Sequence, residues 1–198
     1  MAIKLIIFDI GGVIIDFTED QYIMYLSKKY GIGYKKLNAV MAPLIRKLEM
    51  GRLTMSQFVR IMHKKTGLSE EKLEWRSSYA RMAKLNKRVF NLIEDLSKSY
   101  DVALLSNISS SRYHEALEKF LDNLHVVDIY VSFSTGFWKP DPRAYRNVLK
   151  KQRVKPNEAL YIDNLIENVK GARKTGIDSI LFRNYAQLEK ELRKRGIA

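Results

Sequence analysis

The sequence predicts an α/β fold, a doubly wound parallel sheet carrying an inserted helical region. Three observations predict it. Short apolar runs recur and end on polar residues, as in IKLIIFD (3–9), DVALLSN (101–107) and ALYIDN (159–164). Runs this short and this continuous suit strands buried on both faces. Helical patterns of about 10–14 residues alternate with them after residue 88, the rhythm of βαβ units. Residues 18–88, by contrast, read as helices throughout with no strand candidate, which marks an insertion.

The first run, Ile3 to Phe8 with only Lys4 charged, meets Asp9, and Gly11 and Gly12 then allow a tight turn before a second apolar run ending at Asp16. Thr18 is a candidate N-cap for a helix in which apolar Tyr22, Met24, Tyr25 and Leu26 recur at three and four, stopped at Gly31. Leu37, Val40, Met41, Leu44, Ile45 and Leu48 define a second helix closed by Gly51, with Pro43 expected to kink or divide it. Thr54 opens a third through Phe58, Val59, Ile61 and Met62 to Gly67. Ser69, followed by Glu70 and Glu71, opens a fourth that runs through Trp75. Val89, Phe90, Leu92, Ile93 and Leu96 form an amphipathic helix ahead of the strand 101–107, and a helix over 109–121 follows it. Ile129–Val131 is a short strand leading into GFWKPDP (136–142), and a helix over 143–152 precedes the strand 159–164. A helix from Leu165 to Lys174, a strand DSILF (178–182) and a terminal amphipathic helix complete the chain.

The 198 residues, 46% apolar and 29% charged, suffice for one substantial domain or a core with a smaller insertion. The absence of cysteine excludes disulfides, thiolate catalysis and Cys-based metal sites. No apolar run approaches the roughly 20 residues of a transmembrane helix. The first residues lead through one Lys into Asp9 and glycines, the wrong pattern for a secretory leader. A cytoplasmic protein with no membrane partner is the expectation. The net charge of +13 is concentrated: residues 17–88 hold 16 Lys and Arg against 6 Asp and Glu. Such a segment attracts anionic ligands and, less favoured here, nucleic acid. A solvated Lys-rich surface is its plainer reading.

Polar groups end or follow four apolar runs: Asp9, Ser106 with Asn107, Lys139, and Asp163 with Asn164. In a doubly wound sheet these ends converge on one crevice. Taken singly, Ser106-Asn107 reads as a turn, Lys139 as a loop lysine and Asp163 as a helix cap. Together, a carboxylate nucleophile, a hydroxyl, an ammonium and a second carboxylate suit phosphoryl transfer through a metal. His63, His114 and His125 have no ligand-like spacing, and Phe137 and Trp138 read as packing.

These motifs resemble the haloacid dehalogenase superfamily of hydrolases. FDIGGVI is similar to that family's first motif, LLSN to its second, WKPDP to its third and YIDNLIEN to its fourth. The resemblance spans essentially the whole chain and is strongest to the small sugar-phosphatase-like branch. It implies a Rossmann-like core of residues 1–16 and 86–198, with a helical cap over 17–85. It further implies a Mg²⁺-dependent phosphatase for a small phosphorylated metabolite, such as a sugar phosphate. Asp9 would attack phosphorus to form an aspartyl-phosphate. Ser106 and the Asn107 backbone would hold the phosphoryl oxygens, and Lys139 would neutralise transition-state charge. Mg²⁺ would sit on Asp9, the Gly11 carbonyl and the Asp163-Asn164 pair. Arg46, Lys47 and Arg52, in the basic insertion, are the candidate substrate contacts.

Two positions depart from the pattern. The family's acid/base Asp, two residues after the nucleophile, is Gly11 here, and Asp16 lies too far along to replace it. General acid–base help is worth about 10²–10⁴ in rate, so esters with good leaving groups are favoured. Asn164 stands where a second carboxylate is usual, and Glu167, four residues beyond Asp163, is expected to supply the missing charge. Two alternatives remain at this point. One is a metal-independent 2-haloacid dehalogenase, which lacks the second Asp too but has no use for an acidic fourth motif. The other is a degenerate hydrolase whose basic cap binds nucleic acid or a protein.

Overall fold

A computed structural model describes residues 2–121 and 123–197. Its elements in order are β1 (Leu5–Phe8), β2 (Ile15–Asp16), α1 (Glu19–Tyr30), α2 (Tyr34–Glu49), α3 (Met55–Thr66), α4 (Glu70–Leu73), α5 (Trp75–Met82), β3 (Lys84–Leu85) and α6 (Lys87–Leu96). There follow β4 (Asp101–Ser106), α7 (Ser110–Arg112), a π-helical turn (Tyr113–Leu117), α8 (Glu118–Leu121), β5 (Asp128–Val131) and α9 (Ser132–Thr135). The chain closes with α10 (Pro142–Gln152), β6 (Ala159–Asp163), α11 (Ile166–Arg173), β7 (Asp178–Leu181) and α12 (Tyr185–Arg193).

β5, β4, β1, β6 and β7 form one parallel sheet in that order, so the first strand is the central one. Its register pairs Leu5 with Asp101 on one side and Ala159 on the other. All four residues of β1 are fully buried. The two-residue alternation of a strand then divides the core. Ile6 and Phe8 join Leu104 and Ile162 on the face covered by α6 and α12, while Leu5 and Ile7 join Ala103 and Tyr161 under α10 and α11. Burying both faces is why these strands read as unbroken apolar runs. Each Leu or Ile so buried stabilises by roughly 1.5–3 kcal/mol.

The helical segment meets the core through a ribbon absent from the sequence expectation: Lys84–Leu85 is a short strand, antiparallel to Ile15–Asp16. Two residues are too few to leave an alternating pattern. Thr18 and Thr54 cap α1 and α3 through boxes closed by Gln21 and Gln57. Pro43 lies on the exposed side of α2 and does not divide it. The expected helix through Trp75 instead breaks at Glu74, which adopts φ 47° and separates α4 from α5. Glu74 there collects Lys29, Arg81 and the hydroxyls of Tyr25 and Tyr30, tying α1 to α5. Tyr22 and Trp75 from the same helices belong to one apolar cluster with Ile6 and Phe8 of the sheet. Among the described residues no helix is long and apolar enough to cross a membrane.

Candidate active site

Three strand ends and one loop put their polar residues where the sheet order predicts. Asp9 follows β1, its N–H bonded to the Ile162 carbonyl at 2.9 Å, and so lies beside the end of β6. Ser106 ends β4 and Asp163 ends β6. Lys139 comes from the loop between α9 and α10, and its 1% exposure is notable for a lysine. Its Nζ lies 2.8 Å from Asp9 Oδ1 and 2.9 Å from Asp163 Oδ2, and donates to the Leu105 carbonyl at 2.8 Å. Asn107 holds that loop in place: its Oδ1 accepts from the Lys139 N–H at 2.8 Å and its Nδ2 donates to the Lys139 carbonyl at 2.9 Å. Gly171 of α11 lets the helix approach the same loop, since a Cβ there would stand 2.8 Å from Pro140.

The buried trio of Asp9, Lys139 and Asp163 carries two carboxylates against one ammonium. Burial pushes the Asp9 carboxyl up to about 7; the neighbouring ammonium of Lys139 opposes this and Asp163 adds to it. Burial alone would lower the Lys139 pKa, but the two carboxylates outweigh it and hold it above its ordinary value. An ammonium held charged beside the carboxylate can offset negative charge gathering at that point.

Asp9, Gly11, Ser106, Asn107, Lys139 and Asn164 line one cavity of about 810 Å³, whose lining also includes Arg46, Lys47 and Arg52 of the helical segment. Two predicted site residues are placed elsewhere. Asp163 is completely buried and does not line the cavity. Its Oδ1 accepts from the Leu165 N–H at 2.7 Å, and its Oδ2 accepts from Lys139, Tyr161 and Asn168. It anchors Lys139 rather than facing the cavity. Glu167 is exposed in the first turn of α11 and also lies outside the lining. The four-residue rule does not reach it, because Asp163 is still strand and the helix begins only at Ile166. Asn168 takes the inward position instead.

Of the predicted metal ligands, Asp9, Gly11 and Asn164 line the cavity. Asn164 Oδ1 is buried without a hydrogen-bond partner, an amide oxygen fit for a cation. Its side chain lies over Gly12, where a Cβ would come within 2.2 Å of Asn164 Nδ2. Hard oxygens of this kind fit Mg²⁺ completed by water. The set is poor in charge, however: among the described residues no group of three or more His, Cys, Asp or Glu is arranged to hold a metal.

Sequence reasoning missed several residues of this cavity. Trp138, expected as packing, is part of its wall. Arg46 stacks over its ring at 4.3 Å, and its Nε1 donates to Glu49 Oε2 at 2.8 Å. Arg112, 3% exposed, pairs with Glu19 and stacks on Trp75 at 4.0 Å. Glu49 itself is 5% exposed. It had a signal: Glu49 falls four and eight residues after Ile45 and Met41, on the apolar stripe of α2, where a carboxylate is out of place. Burial, reinforced by Glu19, pushes its carboxyl up to about 8, against the pull of the Trp138 N–H, Arg112 and Lys139.

The fold and site thus define a doubly wound α/β protein with its polar residues gathered at the carboxyl ends of the strands. Residues 6–182 match the family model for haloacid dehalogenase-like hydrolases, and the chain belongs to that family. It is 26% identical over 210 residues to D-ribitol-5-phosphate phosphatase of Bacteroides thetaiotaomicron, covering 96% of this chain and 97% of that protein. That likeness bears out the resemblance to the sugar-phosphatase-like branch. Rat bifunctional epoxide hydrolase 2 is 25% identical, but the chain spans 39% of its length. Among solved structures, a predicted hydrolase of this family from Porphyromonas gingivalis superposes with a TM-score of 0.78 at 22% identity, covering 98% of this chain and 99% of that one. A family enzyme of B. thetaiotaomicron, in complex with magnesium and inorganic phosphate, gives 0.72 at 21%, covering 94% and 99%. These two likenesses show the fold.

Proposed function

We propose that this hydrolase is a Mg²⁺-dependent phosphatase for a small phosphorylated sugar or polyol, acting through an aspartyl-phosphate on Asp9. The observation that carries the reading is the contact of Lys139 Nζ with Asp9 at 2.8 Å inside a cavity shared with Ser106 and Asn164. Asp9 supplies the nucleophilic oxygen. Ser106 and the Asn107 backbone hold phosphoryl oxygens, and Lys139 offsets charge as it develops. Asp9, the Gly11 carbonyl and Asn164 Oδ1 would hold Mg²⁺, which would supply charge neutralisation for the phosphate. Asp163 keeps Lys139 aimed. Residues 17–85 act as a cap on a core of 1–16 and 86–198, with Arg46, Lys47 and Arg52 presented to the anionic substrate. The substrate class is supported by the likeness to D-ribitol-5-phosphate phosphatase along nearly its full length.

The test is phosphate release from p-nitrophenyl phosphate and a panel of sugar and polyol phosphates. Turnover is expected with Mg²⁺, and Asp9→Asn is expected to abolish it. Release of halide from a 2-chloro acid without metal, and no phosphate release, would establish the dehalogenase reading instead. RNA binding with a steep salt dependence and no turnover would establish the binding module.

A further inference from the structure

Residue 11 has no side chain, so if the phosphatase reading holds, the proton for the leaving group must come from elsewhere in the cavity. Four carboxyls line that cavity among the described residues: Asp9, Glu19, Asp20 and Glu49. Asp9 is the nucleophile and pairs with Lys139. Glu19 pairs with Arg112, and Asp20 accepts from the Tyr34 hydroxyl. Asp16 is exposed and lies outside the lining. Glu49 alone of the four is deeply buried yet held by a neutral donor, the Trp138 indole N–H.

Its position is fixed by the core rather than by the helical segment that carries it. The Ser132 hydroxyl donates to the Glu49 carbonyl at 2.6 Å, and Ser132 is itself bonded by the Ile108 N–H at 3.0 Å, two residues past Ser106. Trp138 is the neighbour of Lys139 in the chain, and Arg46, one turn before Glu49 on α2, stacks on its ring. The end of α2 is thereby pinned against the second- and third-motif loops. The carboxyl sits within electrostatic reach of Lys139, Arg112 and Glu19.

We infer that Glu49 is the proton donor of this enzyme, taking from the helical segment the role that Gly11 cannot fill. The carboxylate of Asp9 forms its bond to phosphorus as the bond from phosphorus to the leaving oxygen breaks. That oxygen takes the proton from the Glu49 carboxyl and departs as an alcohol. Glu49, now a carboxylate, regains a proton from the water whose oxygen attacks the aspartyl-phosphate, which releases phosphate and restores Asp9. Burial that holds Glu49 protonated near neutral pH suits it to the first step.

The experiment compares p-nitrophenyl phosphate with D-ribitol 5-phosphate by rapid quench, following the first turnover in wild type, Glu49→Gln and Glu49→Asp. Nitrophenolate leaves without a proton, whereas an alkoxide does not. Glu49→Gln is expected to lower the ratio of alcohol release to nitrophenolate release by about 10²-fold or more, with part of the loss restored in Glu49→Asp. In wild type, alcohol release should fall as pH rises through about 8, and that limb should vanish in Glu49→Gln. An equal loss on both esters, or an unchanged ratio with the pH limb intact, overturns the inference. Trp138→Phe guards against a folding failure: removing the indole donor should displace the same pH limb, and an unmoved limb counts against Glu49. Wild type inert on every ester with Mg²⁺ overturns the phosphatase reading, and this inference with it.

Discussion

Replacing Asp9 by Asn should stabilise the protein while silencing it, and the size of the effect follows from the buried trio. Asp9 Oδ1 accepts from the Ile10 N–H at 2.7 Å and from Lys139, and an Asn keeps that oxygen. What the substitution removes is one of two carboxylates competing for one ammonium. The Asp9 carboxyl is raised from an ordinary 3.8 to about 7, so between those values the folded state holds a proton that the unfolded chain has lost. Stability therefore falls as pH rises through that window and stays lowered above it. About three units at roughly 1.36 kcal/mol each amount to ~4 kcal/mol. Relaxation of the buried site around the charged carboxylate lowers this, so the expected gain is about half, ~2 kcal/mol. The assay is urea unfolding of both proteins in EDTA at about pH 4.5 and about pH 8. The gain should be small at the acid end and reach about 2 kcal/mol at the alkaline end. A gain independent of pH, or a loss at pH 8, would refute the account of the trio.

Three other substitutions probe the frame around it. Gly12→Ala adds a Cβ at φ 77° within 2.2 Å of Asn164 Nδ2, so it should raise the Mg²⁺ concentration needed for half-maximal turnover; unchanged metal dependence would remove Asn164 from the site. Gly171→Ala gains about 1 kcal/mol of helix propensity, but its Cβ meets Pro140 at 2.8 Å. Overpacking costs about 1–3 kcal/mol, so a net loss in urea unfolding and a slower enzyme are expected, through displacement of Lys139. Hydrogen bonds from Lys29 and Arg81 hold the Glu74 carboxyl down at about 2, so its contribution is present above about pH 4.5 and is lost as pH falls toward 2. Because Lys29 and Arg81 are 41% and 57% exposed, Glu74→Gln should cost only about 1 kcal/mol at neutral pH, with the difference shrinking on acidification.

The sequence by itself determined the strands, their class and the residues at their ends. Unbroken apolar runs such as LIIF and ALYI suit strands buried on both faces, which puts the polar residue after each at the carboxyl edge. That local reasoning placed Asp9, Ser106 and Lys139 in one cavity, and the capping patterns at Thr18 and Thr54 likewise lay in adjacent residues. What adjacent residues could not determine was orientation across the fold. Whether Asp163 or Asn164 faces the cavity depends on a twist of one residue past β6, fixed by Lys139, Tyr161 and Asn168 closing on Asp163. Glu167 lies outside the lining for the same reason, since its side is set by where α11 begins. The ribbon of Ile15–Asp16 with Lys84–Leu85 joins residues about 70 apart, and the meeting of Glu49 with Trp138 joins residues 89 apart. Such contacts are chosen by how the helical segment packs on the core, so only the tertiary structure could bring the Glu49 carboxyl to the cavity that Gly11 lines.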